Sequence, residues 1–150
     1  MFERKWMIWS LKNVCRKNNY ESLLKEFESL KIDLSQQYTE KVKMNSYLWH
    51  KLNNQHCFQT LFTVRMLNKY IENKVMNIVD IGDSAGTHLK KIGMLMAGDR
   101  GGGGKINGLS VNLDPVAVDK INQNGGRAIL CRAEEYEPET RIDCYLSYEM

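Results

Sequence analysis

The pattern of apolar and polar positions divides the chain into two halves of different character. Residues 1–74 contain neither glycine nor proline and are rich in helix-favouring Leu, Lys, Glu, Gln and Met. Apolar positions recur there at helical spacing, as in the run Tyr20, Leu23, Leu24, Phe27 and Leu30. The pattern predicts an all-helical N-terminal region with helices at roughly 2–16, 20–31, 34–44 and 46–72.

From Val75 onward, short runs rich in β-branched residues alternate with helical patterns. Four strands are predicted at VMNIVDI, INGLSVNLD, RAILCR and IDCYLSY, and two helices at AGTHLKKIGMLMAG and PVAVDKINQNGG. Strands that alternate with helices are typical of βαβ units in a parallel sheet. We therefore predict an α/β protein in which a helical region, 1–74, precedes a parallel-sheet domain, 75–150.

Composition and charge narrow the classes of partner. Apolar residues make up 43 % of the 150 positions, which is enough for a packed core. The net charge of +3, with acids and bases interleaved, gives no strong nucleic-acid signal. No apolar run approaches the roughly 20 residues of a membrane span. The four cysteines form no CxxC pair, which indicates reduced thiols and a cytoplasmic location.

The glycine-rich segment GDRGGGGK, Gly98 to Lys105, resembles a phosphate-binding loop only superficially. Asp99 stands where the loop needs its first glycine, and Ile106 follows the lysine where Ser or Thr is required. The segment also leads into a predicted strand, whereas a phosphate loop opens a helix. We interpret it as a connector.

The segment IVDIGDSAGTH, Ile78 to His88, has the context of a ligand-binding turn, since a strand precedes it and a helix follows. Gly82 allows a sharp turn, and Gly86 allows close approach at the start of the helix. A dinucleotide fingerprint would read GxGxxG, but here the glycines are spaced GxxxG with Ser84 between them. Asp80, two positions before Gly82, favours a ligand with a positive charge over a pyrophosphate.

A second carboxylate follows the next strand. SVNLDP ends in Asp114, at the C-terminal edge of the predicted sheet, where an acid can accept two hydrogen bonds from a ribose diol. Pro115 then takes the first position of the next helix, which proline favours. The two turns together indicate a ligand with a ribose and a cationic end.

These residues resemble the first motifs of the class I S-adenosylmethionine-dependent methyltransferases. The family's DxGxGxG motif matches at Asp80, Gly82 and Gly86 and departs from it at Ser84. The resemblance implies that this loop, including Asp83, wraps the methionine part of the cofactor. It also implies that Asp114, followed by Pro115, holds the ribose hydroxyls, and that the Rossmann-like sheet has the strand order 3-2-1-4.

Two further matches to the family follow the third and fourth strands. CRAE, Cys131 to Glu134, matches the family's run beside the adenine at Ala133 and Glu134, while Arg132 replaces the usual acid. The fourth predicted strand, Ile142 to Tyr148, resembles the strand before the family's active site. The resemblance implies that Ser147 lies near the methyl end of the cofactor.

The resemblance covers about residues 75–150. The family's sheet has seven strands, so it implies that this chain is the cofactor-binding fragment of an enzyme or that a partner supplies the rest. The expected function is methyl transfer from S-adenosylmethionine, with a small molecule or sugar favoured as acceptor and no catalytic residue or metal assigned. The exposed fourth strand predicts self-association. Two alternatives stay open: a non-catalytic nucleotide-binding or interaction module, and a nicotinamide-dependent oxidoreductase, which the glycine spacing disfavours.

Overall fold

The structure is a computed structural model that describes residues 2–29, 46–70, 75–83, 85–97 and 105–148. It is an α/β protein with a helical N-terminal region, as predicted. The helices are α1 (Phe2–Lys17), α2 (Glu21–Ser29), α3 (Tyr47–Tyr70), α4 (Thr87–Ala97) and α5 (Pro115–Gln123). The strands are β1 (Val75–Ile81), β2 (Lys105–Asn112), β3 (Ala128–Leu130) and β4 (Cys144–Leu146), with a short 3-10 helix at Ala133–Glu135.

The strands form a single sheet among the described residues, and its order, β3-β2-β1-β4, is the predicted one. All pairings are parallel. The central pair, β1 and β2, is in register from Val75 opposite Lys105 to Ile81 opposite Val111. The carboxyl ends of all four strands therefore meet at one edge, where open parallel sheets bind ligands.

The predicted elements that fall within the described residues are correct in kind but differ in extent. The third and fourth strands were predicted over six and seven residues, yet only three residues of each are paired. Each lies at an edge of the described sheet and pairs with one neighbour over those three residues. The predicted helix at 34–44 and most of the glycine-rich connector, 98–104, lie outside the described residues.

The chain divides into two compact units, Met1–Leu61 and Phe62–Met150. The boundary between the units therefore lies within α3, whereas the sequence changes from a helical to a strand-forming pattern at Val75. In the first unit, the thiol of Cys57 donates to the backbone oxygen of Leu23 at 3.4 Å. The rings of Tyr20 and Phe58 meet edge to face, with 6.2 Å between their centroids.

The core of the second unit lies on the face of the sheet that α4 covers. Alternate residues of β1, Met76 and Ile78, point to this face, as strand geometry requires. Helix α4 contributes apolar side chains at helical spacing to the same face. The buried core comprises Val64, Leu67, Met76, Ile78, Leu89, Ile92, Met96 and Leu146. Gly108 permits the close packing of α4 on β2, because a Cβ there would lie 3.1 Å from Leu89 Cδ1.

No helix in the described ranges combines the length and the apolar character needed to cross a lipid bilayer. The cysteines of the chain are free thiols. Cys15 and Cys57 are buried, and Cys131 and Cys144 are half-buried.

Candidate functional site

The turn after β1 has the backbone that its two glycines predict. Gly82 has a φ of 85° and Gly86 a φ of 70°, both in the left-handed region that favours glycine. The N–H of Gly82 donates to the backbone oxygen of Val111 at 3.0 Å, which fixes the start of the turn to the end of β2. A Cβ at Gly86 would lie 3.2 Å from the side chain of Ile121, so this glycine also lets α5 approach. Ser84 lies outside the described residues.

Asn112, the last residue of β2, links the turns that follow three strands. Its side-chain amide donates to the backbone oxygen of Asp83 at 3.0 Å. Its Oδ1 accepts from the N–H of Asp114 at 3.0 Å, and its backbone oxygen accepts from the N–H of Cys131 at 3.0 Å. The segments that carry the predicted cofactor residues after β1, β2 and β3 are therefore held together.

Asp114 is the exposed N-cap of α5, and its Oδ1 accepts from the N–H of Val116 at 2.9 Å. Pro115 follows at the start of the helix, as predicted. The other carboxylate oxygen of Asp114 makes no hydrogen bond to the described residues. Three large apolar side chains of the same segments are exposed to solvent: Leu113 at 66 %, Val116 at 69 % and Leu130, which pairs in register with Asn112, at 58 %. Asp114 can thus accept from a diol beside an apolar surface.

The remaining predicted residues lie on the surface after β3 and β4. Ala133 and Glu134 form the short 3-10 helix, and both are exposed. Arg132 donates to Glu134 Oε1 from Nε at 2.8 Å and from its terminal nitrogen at 2.6 Å. A backbone hydrogen bond and the bonds from Arg132 lower the pKa of Glu134. Ser147 is exposed directly after β4, at the same edge of the sheet.

The side chain of Asp80, which the motif predicts to contact the cofactor, is completely buried. It lies on the α4 side of β1, and its Oδ2 accepts from Nδ1 of His88, in the first turn of α4, at 3.0 Å. Burial raises the pKa of Asp80, and the hydrogen bond with His88 opposes that rise. The carboxylate therefore joins β1 to α4 beneath the glycine turn.

Asp83 holds the start of α4. Its carboxylate accepts from the N–H groups of Ala85, Thr87 and His88 at 3.4, 3.2 and 3.2 Å. The N–H groups of Thr87 and His88, at the start of α4, have no partner within the helix backbone. An acid at this position also complements the helix dipole. Lys91, one turn further along α4, is fully buried. Burial lowers its pKa to about 8, while the charge of Asp83 opposes that fall.

Tyr148 covers His88 from the end of β4. The two rings meet edge to face, with 4.7 Å between centroids and an interplanar angle of 88°. The phenol hydroxyl is hydrogen-bonded to the hydroxyl of Thr63 on α3. Burial raises the pKa of Tyr148 to about 12. Tyr148, held by Thr63 of α3, thereby packs against the His88 ring of the Asp80–His88 pair.

A separate cavity of about 500 Å³ lies on the other face of the sheet. It is lined by Asn77 and Val79 of β1, which alternate with the core residues, and by Tyr136 and Ile142 of the connection between β3 and β4. None of the described residues predicted to bind the cofactor lines it. The cavity and the C-terminal edge of the sheet are distinct features.

Sequence reasoning did not assign a role to Asn112, His88, Lys91, Thr63 or Tyr148. Asn112 stands two positions before Asp114, and a short polar side chain at the end of a strand is a signal for a turn bridge. His88 follows Asp83 by five positions and Asp80 by eight. The packing of α4 on β1 brings His88 to Asp80, whereas Asp83 meets His88 through the local cap of α4.

The sequence matches no protein-family model, and no curated protein or solved structure is significantly similar to it.

Proposed function

We propose that residues 75–150 bind S-adenosylmethionine and that the chain serves methyl transfer to a small molecule or sugar. The observation that carries this proposal is the bridge by Asn112, which ties the glycine turn after β1 to the Asp114 turn after β2. A ligand lying across the carboxyl edge of the sheet would contact both turns. The strand order, with β1 between β2 and β4, supports this location.

Each part of the cofactor has a matching group in this proposal. Asp114 accepts hydrogen bonds from the ribose hydroxyls with the oxygen that the helix cap leaves unused. The exposed side chains of Leu113, Val116 and Leu130 provide an apolar surface for the adenine ring. The methionine part runs along Gly82–Gly86, whose backbone carries no bulky side chain at its two glycines. Asp80 supports this turn from below through His88.

The chemistry in this proposal rests on positioning. S-adenosylmethionine supplies an electrophilic methyl group on its sulfonium. The protein orients the ribose and the methionine chain, so that an acceptor atom can approach in line with the methyl group. Ser147, exposed after β4, lies toward the acceptor side in this arrangement. The proposal assigns no general base, and it places the reaction in the cytoplasm.

Ligand binding tests the proposal directly. Titration calorimetry with S-adenosylmethionine, S-adenosylhomocysteine, NAD and ATP should show binding of the first two only. Asp114→Asn should weaken S-adenosylhomocysteine binding about tenfold, or about 1.4 kcal/mol, because it removes a charge-assisted hydrogen bond. Asn is as good an N-cap as Asp, so the stability of α5 should not change. Asp114→Ala, which also loses the cap, should cost about 1.5–3 kcal/mol of binding.

Asp119→Asn is the matched control, since it removes an exposed carboxylate from the same helix and should leave binding unchanged. Equal affinities for wild type and Asp114→Asn would remove Asp114 from the site, and binding of NAD alone would favour the oxidoreductase alternative. Tight binding without transfer of a radiolabelled methyl group to any of a panel of acceptors would favour the non-catalytic module.

A further inference from the structure

Three side chains beneath the glycine turn form a cluster to which the proposed function assigns no ligand. Asp80 comes from β1, Asp83 from the turn and His88 from α4, and all three are buried. One potential ligand atom from each lies within 4.8 Å of the others. His88 Nδ1 faces both carboxylates, at 3.0 Å from Asp80 Oδ2 and 3.8 Å from Asp83 Oδ1.

These separations are close to those of atoms that share a metal ion. With bonds of about 2.1 Å, neighbouring ligand atoms are about 3.0 Å apart in octahedral and about 3.4 Å apart in tetrahedral geometry. The distances from His88 Nδ1 to the two carboxylates, 3.0 and 3.8 Å, agree with these values to within a few tenths of an ångström. The ligand atoms of the two carboxylates also lie within 4.8 Å of each other, so all three side chains converge on one point.

Buried oxygens beside the cluster give an independent indication of a missing ligand. Asp80 Oδ1 is buried without a hydrogen bond from any described residue. The hydroxyl of Ser110 is likewise buried without a hydrogen bond from any described residue. Ser110 is the register partner of Asp80 on β2, so both side chains point to the same face of the sheet. Buried oxygens are normally satisfied by a donor, by water or by a cation.

The geometry points to a divalent transition-metal site formed by Asp80, Asp83 and His88, with Ser110 as a neighbouring oxygen. One imidazole with two carboxylates suits Mn²⁺, Fe²⁺, Co²⁺ or Zn²⁺ better than Mg²⁺, which prefers oxygen ligands and retains its waters. A metal here would join β1, the glycine turn and α4, so its role is to rigidify the turn. The proposal is independent of methyl transfer, because metal binding is measured without any cofactor.

Cobalt titration tests this site on the intact chain. After removal of metals with a chelator, the chain is titrated with Co²⁺ and followed by its visible absorption and its thermal unfolding. We expect one ion per chain, a rise in the unfolding temperature and no sulfur-to-cobalt charge-transfer band. Failure to bind Co²⁺ would overturn the proposal, leaving an internal ion network with Lys91 in its place. A sulfur band would also overturn it, since the free cysteines would then be the ligands.

The decisive variant is His88→Asn. The amide nitrogen of Asn can replace Nδ1 as a donor to Asp80 but is a poor metal ligand, so Co²⁺ should bind at least about a hundredfold more weakly. His50→Asn, which changes a half-buried histidine of α3, is the control and should bind as wild type does. If His88→Asn does not fold, Asp80→Asn carries the same expectation. Binding of Co²⁺ by a folded variant with wild-type affinity and spectrum would overturn the assignment.

Discussion

The side-chain amide of Asn112 donates to the backbone oxygen of Asp83 at 3.0 Å, so the last residue of β2 supports the turn after β1. The same side chain also accepts from the N–H of Asp114. An alanine at this position would leave both backbone groups without their partner. The end of β2 therefore determines the geometry on which the proposed cofactor site depends.

We expect Asn112→Ala to lower the free energy of unfolding by about 1–3 kcal/mol, the range for two neutral hydrogen bonds, and to weaken S-adenosylhomocysteine binding about tenfold. Urea unfolding and titration calorimetry measure the two effects. Asn122→Ala is the control, because Asn122 also makes two side-chain bonds to backbone, with Ala128, but lies at the C-terminal end of α5. It should lose similar stability and retain affinity; a matching loss of affinity would show that the bridge has no specific role.

The hydroxyls of Thr63 and Tyr148 form a hydrogen bond between α3 and the end of β4. We expect Tyr148→Phe to cost about 1–2 kcal/mol of stability, since it leaves the buried Thr63 hydroxyl without that partner. Adding Thr63→Val to the Tyr148→Phe variant should cost little further stability. A double-mutant cycle by urea unfolding measures the coupling. Additive effects of the two substitutions would mean that the bond contributes nothing to stability.

The buried thiol of Cys57, in the first compact unit, should make the free energy of unfolding depend on pH. Burial raises the pKa of its thiol from 9.0 to about 12. Between these values the folded state retains a proton that the unfolded state has lost, so stability falls as pH rises through this window. The full difference amounts to about 4 kcal/mol. Cys57→Ala should remove this part of the decline between pH 9 and pH 11, as measured by urea unfolding at each pH under reducing conditions.

Cys131→Ala is the control for this experiment, since it removes a thiol from the other compact unit and should follow the wild-type pH profile. A Cys57→Ala profile parallel to that of wild type would show that the thiol is solvated in the folded state.

Strand β4 pairs only with β1 among the described residues, and Tyr145 at its centre is exposed. An open strand edge presents unpaired backbone groups to other chains. We expect the protein to self-associate at micromolar concentration and Tyr145→Lys to reduce the mean mass measured by light scattering. Met94→Lys adds the same charge on α4, away from the edge, and should not alter it. Equal masses for both variants would exclude β4 as the contact.

The elements near the site could be predicted because local sequence determines them. β1 coincides with the run VMNIVDI, and α5 begins where Asp114 and Pro115 supply a cap and a first residue. Leu89, Ile92 and Met96 lie in the core, as their helical spacing predicts. Such features depend on neighbours a few residues apart, which a sequence displays directly.

The position of Asp80 could not be predicted in the same way. Its place before a glycine turn indicates a ligand contact, but whether its carboxylate faces solvent or α4 depends on strand parity and on the packing of that helix. In the structure the carboxylate faces α4, because Nδ1 of His88 is hydrogen-bonded to it. The extents of β3 and β4 could not be predicted either, since each depends on how many residues pair with a strand that is distant in sequence.

The central position of β1 has a consequence for the order in which the chain folds. Its pairing with β2 joins residues such as Asn77 and Asn107, 30 positions apart, whereas its contact with the β4 segment joins Asn77 and Asp143, 66 positions apart. Closing the longer loop costs more entropy and gains only three paired positions, against seven with β2. The β1–α4–β2 segment should therefore form the folding nucleus, with φ-values well above those of β4, which joins last. The chain would then pass through a state in which β1 is itself the open edge, and slow addition of β4 would make refolding sensitive to protein concentration.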